Sequence, residues 1–136
     1  MTDHTLPCRI SCGLCTEEIG DEILVYDELR HKAFCLNATS AAIWKLCDGA
    51  HTVEQIAASA TLRLAMPVTE EIVRFALEEL RRDNLVEAEA DVPVRPVLSR
   101  RELVQKLGIG GAMLVPVIAS IVAPRAAQAY NGCADC

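Results

Sequence analysis

The chain has 136 residues, 51% of them hydrophobic, which suits one packed domain with a tail and leaves no room for a large enzyme barrel. Its net charge of −6 is unevenly spread: residues 1–98 carry 17 Asp/Glu against 9 Lys/Arg, whereas residues 99–136 carry 2 against 4. An acidic body argues against a nucleic-acid partner, because phosphate binding draws on clustered Lys and Arg, and the basic flank of the tail suits a membrane surface better.

Residues 22–28 (EILVYDE) and 32–37 (KAFCLN) are short β-prone runs joined by a small loop, which predicts a hairpin. A strand within 9–19 completes a three-stranded meander. The period then changes. Asn37, Thr39 or Ser40 caps a helix with Ala42, Ile43, Leu46 and Cys47 at helical spacing, and Asp48-Gly49 stops it. Thr52 opens a second helix in a capping-box pattern with Gln55, running to about residue 63. Pro67 and Thr69 introduce a third, over about 69–83, whose Ile72, Val73, Ala76, Leu77 and Leu80 share one face and point to a core. Phe75 lies off that stripe, near Glu71, Glu78 and Arg82, as either an aromatic at the rim of the core or the border of a groove. Leu85-Val86 reads as a short closing strand or the start of the acidic, Pro-containing linker over 88–98.

The expected architecture is α+β and winged-helix-like: a three-stranded antiparallel sheet packed on a three-helix bundle, with a C-terminal apolar helical tail. A winged helix raises DNA binding as a reading. The third helix argues against it, since Glu70, Glu71, Glu78 and Glu79 would face phosphates beside Arg74, Arg81 and Arg82.

The runs I-G-D-E-I-L-V-Y-D, then L-N-A-T-S-A-A-I-W-K-L-C-D-G, then T-V-E-Q-I, within residues 19–87, resemble the PqqD family of small proteins linked to pyrroloquinoline quinone (PQQ) biosynthesis and to ribosomally made modified peptides. The resemblance implies a non-enzymatic recognition element over 1–87 that holds a precursor's leader peptide for a maturation enzyme, often a radical-SAM protein. It also implies that the leader adds as a strand beside the third strand and lies against the third helix. Physical chemistry favours such a slot, because an exposed edge offers unpaired amides and carbonyls that a peptide satisfies while alternate side chains fill pockets. The candidate contacts are Lys32, Phe34, Cys35 and Leu36 on the strand, with Phe75, Glu78 and Arg82 across the groove. By alternation Lys32, Phe34 and Leu36 share a face opposite Ala33 and Cys35, so Phe34 and Leu36 also fit the core. Leu36, Ile43, Trp44 and Leu46 read as scaffold.

Seven cysteines, an odd number, disfavour a closed disulfide framework, and MTDHTLPCRIS has no charged-then-apolar leader, so a cytoplasmic body with reduced thiols is expected. Cys8, Cys12 and Cys15 form a C-x-x-x-C-x-x-C array similar to the iron-sulfur ligand loop of radical-SAM enzymes. The alternative function is therefore an iron-sulfur or metal-binding accessory protein with a 4Fe-4S cluster; otherwise no cofactor is expected. The bland reading places Cys12 and Cys15 on opposite faces of the first strand. His4, His31 and His51 fall at tail and turn positions and suggest no catalysis.

In the tail, Ser99-Arg100-Arg101-Glu102-Leu103 resembles the core of twin-arginine export signals, followed by an uncharged run from Leu107 to Pro124. As one helix those 18 residues would span about 27 Å, close to a bilayer's hydrocarbon thickness. Ala127-Gln128-Ala129 has a small-x-small cleavage form. Residues 99–129 are thus expected to be an export-like or membrane-associated segment, in contact with a membrane or export machinery, or else a buried helix. Residues 130–136 (YNGCADC) are a candidate modified or released peptide, with Ala129, Tyr130, Cys133 and Cys136 as its marked positions.

Overall fold

A computed structural model describes residues 6–87 and 98–122. Three strands come first: β1 (Leu14–Ile19), β2 (Glu22–Asp27) and β3 (Lys32–Leu36), antiparallel in sequence order. The β1–β2 loop is Gly20-Asp21, and Gly20 takes φ +63, a value that L side chains rarely adopt. The β2–β3 loop is shaped by Asp27, which is buried and accepts from the amides of Leu29 (3.0 Å) and Arg30 (3.1 Å) and from the Arg30 guanidinium (3.2 Å). Alternation sends Ile23, Val25, Phe34 and Leu36 to one face, all of them buried.

That face is covered by α1 (Ala38–Leu46), α2 (Val53–Leu64) and α3 (Glu70–Arg82). Each starts at a side-chain cap: Asn37 accepts from Ser40, Thr52 exchanges bonds with Gln55 in a capping box, and Thr69 accepts from Ile72. Ile43, Ile56, Ile72, Val73, Ala76 and Leu80 join the buried strand residues in one core, with no more than traces of exposure. Burying each large aliphatic side chain contributes about 1.5–3 kcal/mol before chain entropy is subtracted. Trp44 is also core, and its indole N–H donates to the Leu85 carbonyl at 2.9 Å, as a buried donor requires. The N-terminal segment is stitched across this end of the core, with Arg9 N–H donating to Cys47 O (2.7 Å) and Ile10 N–H to Leu85 O (3.0 Å). Arg9 also stacks over Trp44, 5.6 Å from the ring centre. The three strands and three helices are those expected from the sequence.

The tail departs from expectation. Instead of one apolar helix standing apart, residues 98–122 form α4 (Arg100–Gly111), a 3-10 turn (Ala112–Leu114) and β4 (Ile118–Val122), packed onto the domain. The sheet becomes four-stranded, β1-β2-β3-β4, with β4 antiparallel to β3. The glycines and Pro116 are the cause. Gly108 has φ +71 and breaks the helical backbone, and a Cβ on Gly111 would lie 2.6 Å from Cβ of Leu107. Among the described residues no helix is long and apolar enough to cross a membrane. The S-R-R-E stretch acts as a capping box for α4: Glu102 N–H donates to Ser99 Oγ (3.2 Å), and Ser99 N–H donates to the Glu102 carboxylate (2.8 Å). Ala129, Tyr130, Cys133 and Cys136 lie outside the described residues.

Candidate functional site

The site has two arms. One is the outer edge of β3, the other the side of α3 that carries Phe75, Glu78 and Arg82. Residues 98–122 span both: α4 packs on α3 and β4 pairs with β3 in the register Leu36↔Ile118, Phe34↔Ser120 and Lys32↔Val122.

On the β3 arm, Lys32 is exposed, Ala33 and Cys35 are half-buried, and Phe34 and Leu36 are fully inside. Phe34 and Leu36 are therefore core side chains, and at the edge they offer only backbone. This is the core placement the alternation allowed for them: the pattern that put them on one face put that face against the helices. The Cys35 thiol is pushed up from its ordinary pKa by burial and then by the neighbouring Glu22 carboxylate, which suits a neutral side chain lying under an added strand.

On the α3 arm, Phe75 is only 4% exposed, because the guanidinium of Arg100 covers its ring at 5.4 Å. Phe75, Glu78, Glu79 and Arg82 line a shallow pocket of about 260 Å³, closed by Leu98, Ser99 and Arg100 of the tail. Arg81 pairs with Glu78 and Arg82 with Glu79 (3.2 Å), which keeps the helix's carboxylates oriented along this side. Two turns earlier Glu71 accepts from Lys106 at 2.5 Å. An acidic helix thus meets the basic part of the tail. Leu103, fully buried, and Leu107 anchor the face of α4 that looks inward, and Leu114 and Val115 continue the contact. Near the foot of α3, burial and then Glu79 raise the pKa of Asp83, against the opposing pull of Arg82 and Lys32.

A residue read from the sequence as a cap alone joins the site. Asn37 donates through Nδ2 to Val115 O (2.9 Å), accepts the Val117 amide on Oδ1 (3.1 Å), and donates its own amide to Val117 O (3.1 Å). The same Oδ1 accepts from Ser40 N–H at 3.0 Å, so one amide group starts α1 and grips the incoming strand. Its position directly after β3 was the available signal.

The early cysteines are placed apart from this groove. Cys12 and Cys15 are in disulfide bonds, in contrast to the expected reduced thiols, while Cys8 and Cys35 are free thiols. Cys8 forms a β-bridge with Asp48 in the N-terminal stitching. Among the described residues no group of three or more His, Cys, Asp or Glu is arranged to hold a metal ion. His31 occupies the β2–β3 loop with φ +54, and His51 bonds Asp48 at 2.8 Å, lowering that carboxyl's pKa.

Residues 22–86 match the family described as coenzyme PQQ synthesis protein D (PqqD). This segment is similar to that family. It holds β2, β3 and the three helices, hence both arms of the groove, whereas α4 and β4 lie beyond it. A solved structure, TbiB1 in complex with the TbiA(beta) leader peptide, is similar at 25% identity and a TM-score of 0.49, covering 61% of this chain and 99% of that one. No curated protein sequence matches the chain.

Proposed function

We propose that the protein is a non-enzymatic peptide-recognition module that takes an extended segment onto β3 beside α3 and presents it to a maturation enzyme, of radical-SAM type by the family resemblance. The observation that carries the reading is the pairing of a single added strand along β3 while the same segment lies on α3. The similarity of 22–86 to the PqqD family supports it. Backbone pairing supplies affinity that does not depend on sequence, and the α3 pocket with its carboxylates supplies selectivity for an apolar, basic ligand. Lys32, Cys35, Phe75, Glu78 and Arg82 line the two arms, with Phe34 and Leu36 contributing backbone. The role needs no cofactor and no chemistry from the chain's own side chains.

The test uses the full chain with a protease site placed within 88–97, cut after folding and mixed with a panel of precursor peptides encoded near its gene together with its own 98–136 fragment. The edge of β3 and the Phe75 side of α3 are expected to be held after cutting, either by the retained 98–136 fragment or by a peptide whose amide shifts are confined to 32–37 and to that side of α3. Shifts at other surfaces, or a β3 edge held by neither the fragment nor any peptide, would refute the function.

A further inference from the structure

The segment in the groove is fitted to it by more than backbone pairing. A capping box at Ser99 sets the start of α4, which lays Arg100 on Phe75 and Lys106 on Glu71. Leu103 fills the interior, Gly111 permits the close approach at Leu107, and Asn37 grips the backbone on both sides of Pro116. Apolar burial, charge pairing and backbone recognition thus recur along more than twenty consecutive residues, against α3, the core and the β3 edge with its Asn37 cap.

Resting on the peptide-recognition reading, we infer that residues 98–122 are the ligand this slot is built to take, a leader carried in cis, and that the segment after Val122 is what the protein offers its partner enzyme. The direction of β4 sets where that segment emerges. Val122 pairs with Lys32, which on its other side pairs with Asp27, so the chain leaves the sheet beside the β2–β3 loop. Residues 123–136 follow from that point. Tyr130, Asn131, Cys133, Asp135 and Cys136 are the reactive side chains there.

The tether reinforces the arrangement. Only residues 88–97 separate the domain from its ligand, and a tether of so few residues sets an effective concentration on the order of 1 mM. A free leader of equal intrinsic affinity present at about 1 μM would hold roughly a thousandth of the slots. The intact chain therefore refuses leaders in trans, and one molecule of enzyme acts on one self-presented tail.

The same protease-site chain tests this. After cutting, the 98–136 fragment should stay bound through size-exclusion chromatography, and the panel peptides should not displace it. Glu71→Lys should weaken retention by up to about fivefold, and Arg100→Glu with Glu71→Lys by about tenfold or more, both without loss of the helical circular dichroism of the domain. Lys106→Glu added to Glu71→Lys should restore what the single change lost. If the fragment leaves on cutting and a panel peptide takes its place on β3, the recognition function stands and the cis leader falls. If neither the fragment nor any peptide binds, both fall. In cells that also hold the neighbouring maturation enzyme, mass changes should be confined to 123–136 and fall with the charge-reversal variants. Changes outside 123–136, or insensitive to those variants, would overturn the inference.

Discussion

Asn37→Asp separates the two jobs of one side chain. Asp caps a helix about as well as Asn, so the bond from Ser40 N–H persists, as does the acceptor for Val117 N–H. The Nδ2 donor to Val115 O is replaced by an oxygen facing another oxygen across 2.9 Å. Losing that bond and leaving a carbonyl without its partner costs about 1–3 kcal/mol, while a carboxylate at the α1 N-terminus returns about 0.3–1 kcal/mol. The balance, about 1–2 kcal/mol, falls on the docking of the tail and not on the three-helix domain. Amide hydrogen exchange reads this directly. Exchange at 118–122 should rise about 5- to 30-fold, while amides of α2 and α3 facing the core stay within about twofold of the parent. Asn37→Ala should raise exchange in α1 as well, because it removes a cap worth about 1 kcal/mol. Equal acceleration of β4 and the core in Asn37→Asp would mean that the tail is not a separately docked unit. Unchanged β4 exchange would mean that Asn37 does not hold it.

Gly111→Val should loosen the same docking from the other end, since its Cβ would stand 2.6 Å from Leu107 Cβ; overpacking of about 1–3 kcal/mol predicts at least fivefold faster exchange at Leu114 and Val115. Cys35 should alkylate with iodoacetamide more slowly than a model thiol at pH 8, because its raised pKa leaves less thiolate, and Glu22→Gln should speed it. Asp83 carries a raised folded-state pKa, so its ionisation opposes folding as the pH climbs from the unfolded carboxyl's pKa through the folded value. Asp83→Asn should therefore raise the melting temperature at pH 7 by a few degrees at most, and the gain should vanish at a pH below the unfolded carboxyl's range, where both states are protonated. A gain that persists in acid would assign the effect to packing.

The elements of the domain were legible because each rests on a local signal that nothing distant overrides. Thr52 with Gln55, Thr69 before a clean helical stripe, and the alternation in EILVYD all act within a few residues, and the structure uses each as written. The tail was less legible because its local signals admit two uses. S-R-R-E opens an export-like motif and is also a capping box, and an uncharged run of 18 residues serves a bilayer or a groove. In the structure the end of the run pairs with β3, some eighty residues earlier in the chain. That edge is made by the meander and bordered by α3, so no window of sequence around the tail contains it. Asn37 shows the same limit in one residue: its bond to Ser40 is encoded three positions away, and its bonds to Val115 and Val117 only by the fold. The candidate site lies where local pattern stops being informative, because the edge of a strand consists of backbone and rim groups that its own neighbours in sequence leave unsatisfied and that a distant segment, here β4, pairs with.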